Sequence, residues 1–395
     1  METDKLRIIA VMMLAACLTG FAADIYIPSF LTMSQDLGSS ISHVQQSMGI
    51  FLFAVSISQL IYGPISEIIG RRIPLVMGLI IALIGSLICY SANNINMLLI
   101  GRLIQGAGAG ACACLWRAIL KDSLSHDEIS KYAGYLGIIM VFVVAASPAL
   151  GGLMESYLNW KYSLLIVIIY IFATLILVIW YLSETNIHHH NNKMSFSFFK
   201  NAFGSLLSSR IFMGYSICVF LTYGAFFSWF VMGPVLLIGQ IGVKPDVFGV
   251  INLVIGGSAM ALGGLLNGKI VGKLGKSVML RLGWGLIFVA GMMILIWNIF
   301  WPQTVISLIF FVFIFLFGAT FIWPNAFTEA FVPFAKIAGC ASTLYSMMQL
   351  GGGSVIGSLS VLLPKSSNSL AVIFILSSIC SLSIFEFWIK REEDN

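Results

Sequence analysis

Asp24 and Arg102 are charged residues inside apolar surroundings. Asp24 lies about six residues before the end of an apolar run that starts near Leu6, and Arg102 about seven residues into a run over 95–119. Ionised groups there are costly unless they pair, line a wet path or move a proton. If the two runs cross a bilayer in opposite directions, Asp24 and Arg102 reach similar depth and form a candidate pair. The chemistry this predicts is proton coupling: Asp24 gains and loses a proton as its surroundings change, with Arg102 as its counter-charge. A static buried ion pair is the structural alternative. No histidine lies deep within an apolar run, so proton traffic rests on carboxylates. Only this pair suggests polar chemistry at one depth, which argues against an enzyme.

The elements that must hold these residues follow from composition. The chain has 395 residues, 59% hydrophobic and 9% charged, with a mean hydropathy of +0.99. A soluble protein of that size could not bury so much apolar surface. Twelve runs of bilayer-spanning length are read, at roughly 6–30, 43–66, 73–92, 95–119, 131–154, 161–183, 209–237, 247–268, 278–299, 303–330, 337–362 and 368–389. The expected fold is an all-α membrane protein with twelve transmembrane helices in two pseudo-symmetric six-helix bundles. These are residues 1–183 and 209–395, joined by a polar cytoplasmic linker at 184–208. The first run is too long for a signal core and ends in Asp24 and Pro28, so it is read as a retained helix.

By these boundaries 17 of the 21 lysines and arginines fall on the N-terminal side, which predicts both termini in the cytoplasm. The net charge of +5 is then topology, and a nucleic-acid partner is not expected. All seven cysteines lie in apolar runs without a CxxC pair, which indicates neither disulfides nor zinc. The His188, His189, His190 tract lacks preset ligand geometry, so no metal is expected. No Walker-type glycine loop is present, and no cofactor is expected.

The halves repeat at an offset of about 205 residues. "GPISEIIGRR" (63–72) corresponds to "GKIVGKLGKS" (268–277), and "SPALGG" to "GGGSVIG". Such repetition suggests a carrier that rocks about a central site. In the first loop Gly63 permits close helix approach, Gly70 the turn, and Glu67 with Arg71 and Arg72 can latch the two halves as a cytoplasmic gate.

That loop resembles the major facilitator superfamily signature G-x-x-x-D-[RK]-x-G-[RK]-[RK], with Glu67 for the acid and Ile68 for the following base. "GRLIQGAG", containing Arg102 and Gln105, resembles the superfamily's signature in the fourth helix, whose arginine is linked to proton coupling. "GYLGIIMVFVVAASPALGG" places Gly134, Pro148, Gly151 and Gly152 as in the antiporter signature, with Val143 and Ser147 replacing two glycines. "DIYIP", "WRAILKD", "PALGG", "WPNAF" and "AGCASTL" resemble the Bcr/CflA-like branch of the drug:proton antiporters over nearly the whole chain.

The resemblance implies a proton-coupled exporter of a small amphipathic or drug-like molecule in a bacterial inner membrane, working as a monomer. Its partners are the substrate, protons and the lipid bilayer. Segments 1, 4, 7 and 10 would line the cavity, giving Tyr26, Gln105, Tyr223, Phe226, Trp323 and Asn325 as substrate-binding candidates. Glu329 is expected to pair with Lys336, or else to recruit a cationic substrate or carry a second proton, and Glu155 to be a solvated or paired loop acid. The alternatives are a dedicated metabolite or siderophore exporter, a proton-coupled nutrient importer and a membrane sensor.

Overall fold

The computed structural model describes residues 2–186 and 196–390. The His188–His190 tract lies outside the described residues, as do the surroundings of Gly134. Among the described residues there is no strand. Ten stretches are long and apolar enough to cross a membrane. The expected segments at 131–154 and 337–362 fall on two further long helices, α6 (His126–Tyr157) and α13 (Ala338–Ser360), which are not among the ten. Gly351, Gly352, Gly353 and five serines dilute the hydropathy of α13.

Pro28 decides how the chain begins. It has no N–H for the Asp24 carbonyl four residues back, so α1 (Glu2–Asp24) stops there and a 3₁₀ turn at Ile27–Ser29 leads into α2 (Phe30–Asp36). Helices α3 (Ile41–Ile69), α5 (Ile95–Ser123), α6 and α7 (Trp160–Tyr181) pack around α1, and α4 (Arg72–Tyr90) packs behind α5 and α7. Glycines allow that packing: a Cβ at Gly85 would stand 2.6 Å from the Gln105 Cα, and one at Gly108 would stand 2.8 Å from the Ala82 Cα.

The polar stretch expected as a linker contains an amphipathic helix, α8 (Phe196–Ser208), whose Phe199, Ala202 and Leu206 are buried. The chain continues through α9 (Arg210–Pro234), α10 (Pro245–Leu274), α11 (Lys276–Phe300), α12 (Val305–Phe331), α13 and α14 (Ser367–Ile384).

The internal repeat has matching geometry. Gly70 (φ 94°) and Gly275 (φ 81°) both take left-handed backbone, which a side chain would strain, at the turns before α4 and α11. The following bases each reach an acid near the end of the next helix but one: Arg71 Nε lies 3.0 Å from Asp122, and Lys276 Nζ 2.7 Å from Glu329. The repeat is unequal, because Gly272 stands where the first copy has Glu67.

One side of the molecule, here the near face, gathers the start of α1, the ends of α3, α5 and α12, and these ion pairs. The far face gathers the ends of α1, α6 and α9 with the starts of α3, α7 and α10. Two seams join the repeats. Along α3 and α13, Ser354 Oγ donates to the Gly49 carbonyl at 2.8 Å, and a Cβ at Gly63 would meet Thr343 Oγ1 at 3.1 Å. At the far face α6 meets α10 backbone to backbone at two glycines: a Cβ at Gly152 would lie 2.8 Å from the Pro245 carbonyl carbon, and one at Gly249 would lie 2.6 Å from the Ala149 Cα.

Candidate functional site

Asp24 is the last residue of α1, placed by the Pro28 break, and is 1% exposed. Gly151 on α6 presses against the adjoining backbone, where its Cβ would stand 2.7 Å from the Ile25 carbonyl carbon. Arg102 on α5 is 0% exposed and close enough for its charge to act on Asp24. The two do not form the direct pair that their depths suggested, since no ion pair within 4 Å joins them.

Arg102 is held by nearer groups. One Nη donates to the Ala22 carbonyl at 3.0 Å and to Gln105 Oε1 at 2.6 Å, while Gln105 Nε2 donates to Ser86 Oγ at 2.7 Å. The guanidinium also lies between two rings, 4.4 Å from Tyr26 and 4.1 Å from Phe51. Asp24 Oδ1 and Arg102 Nε and Nη2 are buried with no hydrogen-bond partner. Such orphaned polar atoms in one enclosed region are costly in a purely structural pair and apt for a group that exchanges partners.

The aromatic wall comes from the second repeat. Tyr223 and Phe226 on α9 pack edge to face or tilted with Trp323 on α12, all three centroid separations lying between 5.4 and 5.5 Å. Tyr223 is within electrostatic range of both Asp24 and Arg117, so this cluster faces the charged residues. Trp323 Nε1 has no partner.

Four of the substrate-binding candidates thus lie around one region: Gln105, Tyr223, Phe226 and Trp323. Gln105 serves there as the clamp on Arg102. Tyr26 and Asn325 have their polar groups engaged in packing: the Tyr26 hydroxyl is bonded to Ser47 Oγ at 3.0 Å, and Asn325 Nδ2 donates to Asn267 Oδ1 at 2.8 Å. A groove of about 410 Å³ lined by Gly49, Phe53, Leu103 and Ser358 lies elsewhere, on the flank of α3, α5 and α13.

The charged loop differs from the expected latch. Arg71 bonds Ser66, Glu67 and Asp122 through its side chain, and its backbone N–H donates to Glu184. Arg72 likewise gives its N–H to Glu184 and its side chain to the Ile179 carbonyl. All of these partners belong to the first repeat, so the charges stitch α3, α4, α5 and the end of α7 together instead of joining the halves. Toward the second repeat, Gly63 approaches Thr343 and Glu67 lies within electrostatic range of Cys340. Burial raises the proton affinity of Glu184, but the backbone N–H groups of Arg71, Asn186, Arg72 and Thr185 outweigh it, holding the carboxyl below the usual range.

Glu329 pairs with Lys276; the side chain of Lys336, its expected partner, lies outside the described residues. Glu155 is half-buried, and its Oε2 lacks a partner. Sequence reasoning missed three participants. Asp122 and Glu184 complete the Arg71 cluster, yet stand 51 and 113 residues away. Arg117 entered only the charge count and the "WRAILKD" motif, with no site role, although its position about four helical turns beyond Arg102 puts both on related faces of α5.

Among the described residues, a strandless fold with ten stretches long and apolar enough to cross a membrane, and an aromatic and ionic site between internal repeats, has the form of a membrane transporter. The chain belongs to the Major Facilitator Superfamily, whose sequence profile matches residues 12–358. It is 25% identical to the bicyclomycin resistance protein homolog of Haemophilus influenzae, covering 93% of this chain and 92% of that one. It is 24% identical to multidrug resistance protein D of Escherichia coli, covering 92% and 91%. These relatives agree with the Bcr/CflA-like resemblance drawn from the motifs. Its fold is similar to that of the Escherichia coli xylose transporter XylE in a partially occluded inward-open conformation, with a TM-score of 0.74, 14% identity and 98% coverage of both chains.

Proposed function

We propose that this transporter exports a small amphipathic or drug-like molecule in exchange for protons, with Asp24 as the proton carrier and Arg102 setting the electrostatic field around it. The observation that carries the reading is the enclosed Asp24 carboxyl, unbonded at Oδ1, at a helix break beside an aromatic wall. Without a bonded counter-ion, such a carboxyl is held at least cost with its proton on. When the cavity opens and admits water or cargo, the proton leaves, so proton and cargo alternate at one place. The relatives' names, bicyclomycin resistance and multidrug resistance, favour cargo of this chemistry and outward transport.

In this reading α6 and α13 complete twelve crossings in two six-helix bundles, the near face is cytoplasmic, and the membrane is the bacterial inner membrane. Tight far-face contacts at Gly152 and Gly249 belong to a state closed on the outside. Each proton moving inward contributes about 2.3 kcal/mol per 100 mV. The test is flux in proteoliposomes under an imposed pH gradient, with and without Asp24→Asn. Gradient-driven export by the parent and none by a correctly inserted variant is expected; equal pH-dependent flux in both refutes the proton role.

A further inference from the structure

Among the charged groups near the aromatic wall, one has no work in the scheme above. Arg117 lies on α5, about two turns from its end, in electrostatic range of Tyr223. It is enclosed by the surrounding helices yet exposed to solvent, as expected for a side chain projecting into a wet cavity. Among the described residues no hydrogen bond or ion pair reaches its guanidinium, and its neighbour is the Trp116 ring at 4.5 Å. The acids of the region are otherwise engaged: Glu67 and Asp122 with Arg71, Glu329 with Lys276, and Asp24 beside Arg102.

We propose that Arg117 is a recognition residue that receives an oxygen acceptor of the cargo, so that the cavity takes neutral or anionic aromatic molecules and rejects aromatic cations. This rests on the transporter reading and names its substrate class. An unpaired guanidinium in an enclosed cavity is satisfied by water until cargo displaces that water, and cargo without an acceptor leaves its donors unmet. Tyr223 lies within range of both Asp24 and Arg117, so an aromatic body on Tyr223, Phe226 and Trp323 brings its polar end to the guanidinium. Charge acts in the same direction. Once the proton has left on admission of cargo, Asp24 and Arg102 offset each other, which leaves Arg117 as a positive surplus that attracts an anion and opposes a cation.

The experiment measures binding of three bicyclic probes to the purified full-length chain in lipid nanodiscs, corrected against empty discs: 2-naphthoate, 2-naphthamide and N-methylquinolinium. The parent is expected to bind the acid and the amide well above the cation. Arg117→Gln should weaken 2-naphthoate by about tenfold and strengthen N-methylquinolinium, while Arg117→Lys keeps the preference for the anion. A parent that prefers the cation, probe affinities indifferent to Arg117→Gln, or no binding of any probe overturns the assignment. Flux separates this from the broader reading: preference for the acid and amide without proton-driven transport refutes the exchanger and leaves Arg117 standing, whereas proton-driven export of N-methylquinolinium does the reverse.

Discussion

The far-face seam offers a test in which a single methyl group reports on alternation. At Gly152 a Cβ would stand 2.8 Å from the Pro245 carbonyl carbon and closer still to its oxygen. Ordinary contact begins at 3.4 Å, so Gly152→Ala forces α6 and α10 apart by at least 0.6 Å. Both flanking groups are backbone and cannot rotate away. Overpacking of this kind costs about 1–3 kcal/mol, borne only by the state closed on the far face, which shifts the equilibrium between states by about 5- to 150-fold. The assay places a Ser147→Cys reporter, buried on α6, in a background without the native cysteines, and follows its reaction with a membrane-impermeant maleimide added from the far side. Gly152→Ala should label at least about fivefold faster and make proteoliposomes more permeable to protons. The control is Gly256→Ala on α10, where a Cβ meets no described atom within 4 Å; it should label like the parent. Equal labelling of Gly152→Ala and Gly256→Ala refutes the idea that backbone contact seals this face.

Three other perturbations act at separate points. Asp24→Asn should still bind cargo but lose the dependence of binding on pH, as read by titrating ligand affinity between pH 5 and 8. Arg102→Lys keeps the charge while losing the bidentate reach and the flat ring contacts, and should lower stability by about 2–4 kcal/mol in thermal unfolding. Glu184→Gln should remove about 1–2 kcal/mol by weakening the backbone bonds to Arg71 and Arg72. Because the carboxyl of Glu184 is held low, its contribution is present above the usual carboxylate range and is lost as pH falls through the lowered value. The parent and Glu184→Gln should therefore converge in stability on acidification.

Local rules made part of this site readable. Pro28 announces a helix break, and an acid four residues earlier must then sit at the break, where Asp24 is found. The Gly70 and Gly275 turns were legible as a repeat because both keep glycine before a base. Partners distant in sequence were not. Arg102 was assigned to Asp24 by depth, but Gln105, one turn away on the same helix, and the Ala22 carbonyl take its donors first. The Lys276 partner of Glu329, 53 residues back in the chain, is brought to it by the packing of α11 against α12. Asn325 read as a cavity amide because nothing in the sequence shows that Asn267 faces it. The count of crossings was obscured at α13 for a physical reason, since glycines and serines that permit close helix contact also lower the apolarity by which a crossing is recognised.

The Arg102–Gln105–Ser86 chain ties α1, α4 and α5 into one frame, whereas Tyr223, Phe226 and Trp323 stand on helices of the other repeat. In the proposed two-bundle reading, acid and aromatic wall ride on separate bodies, and rocking between them changes the space available to cargo and the wetting of the carboxyl in a single stroke. Coupling in that reading needs no dedicated relay of side chains: it is inherent in mounting the two parts of the site on different repeats.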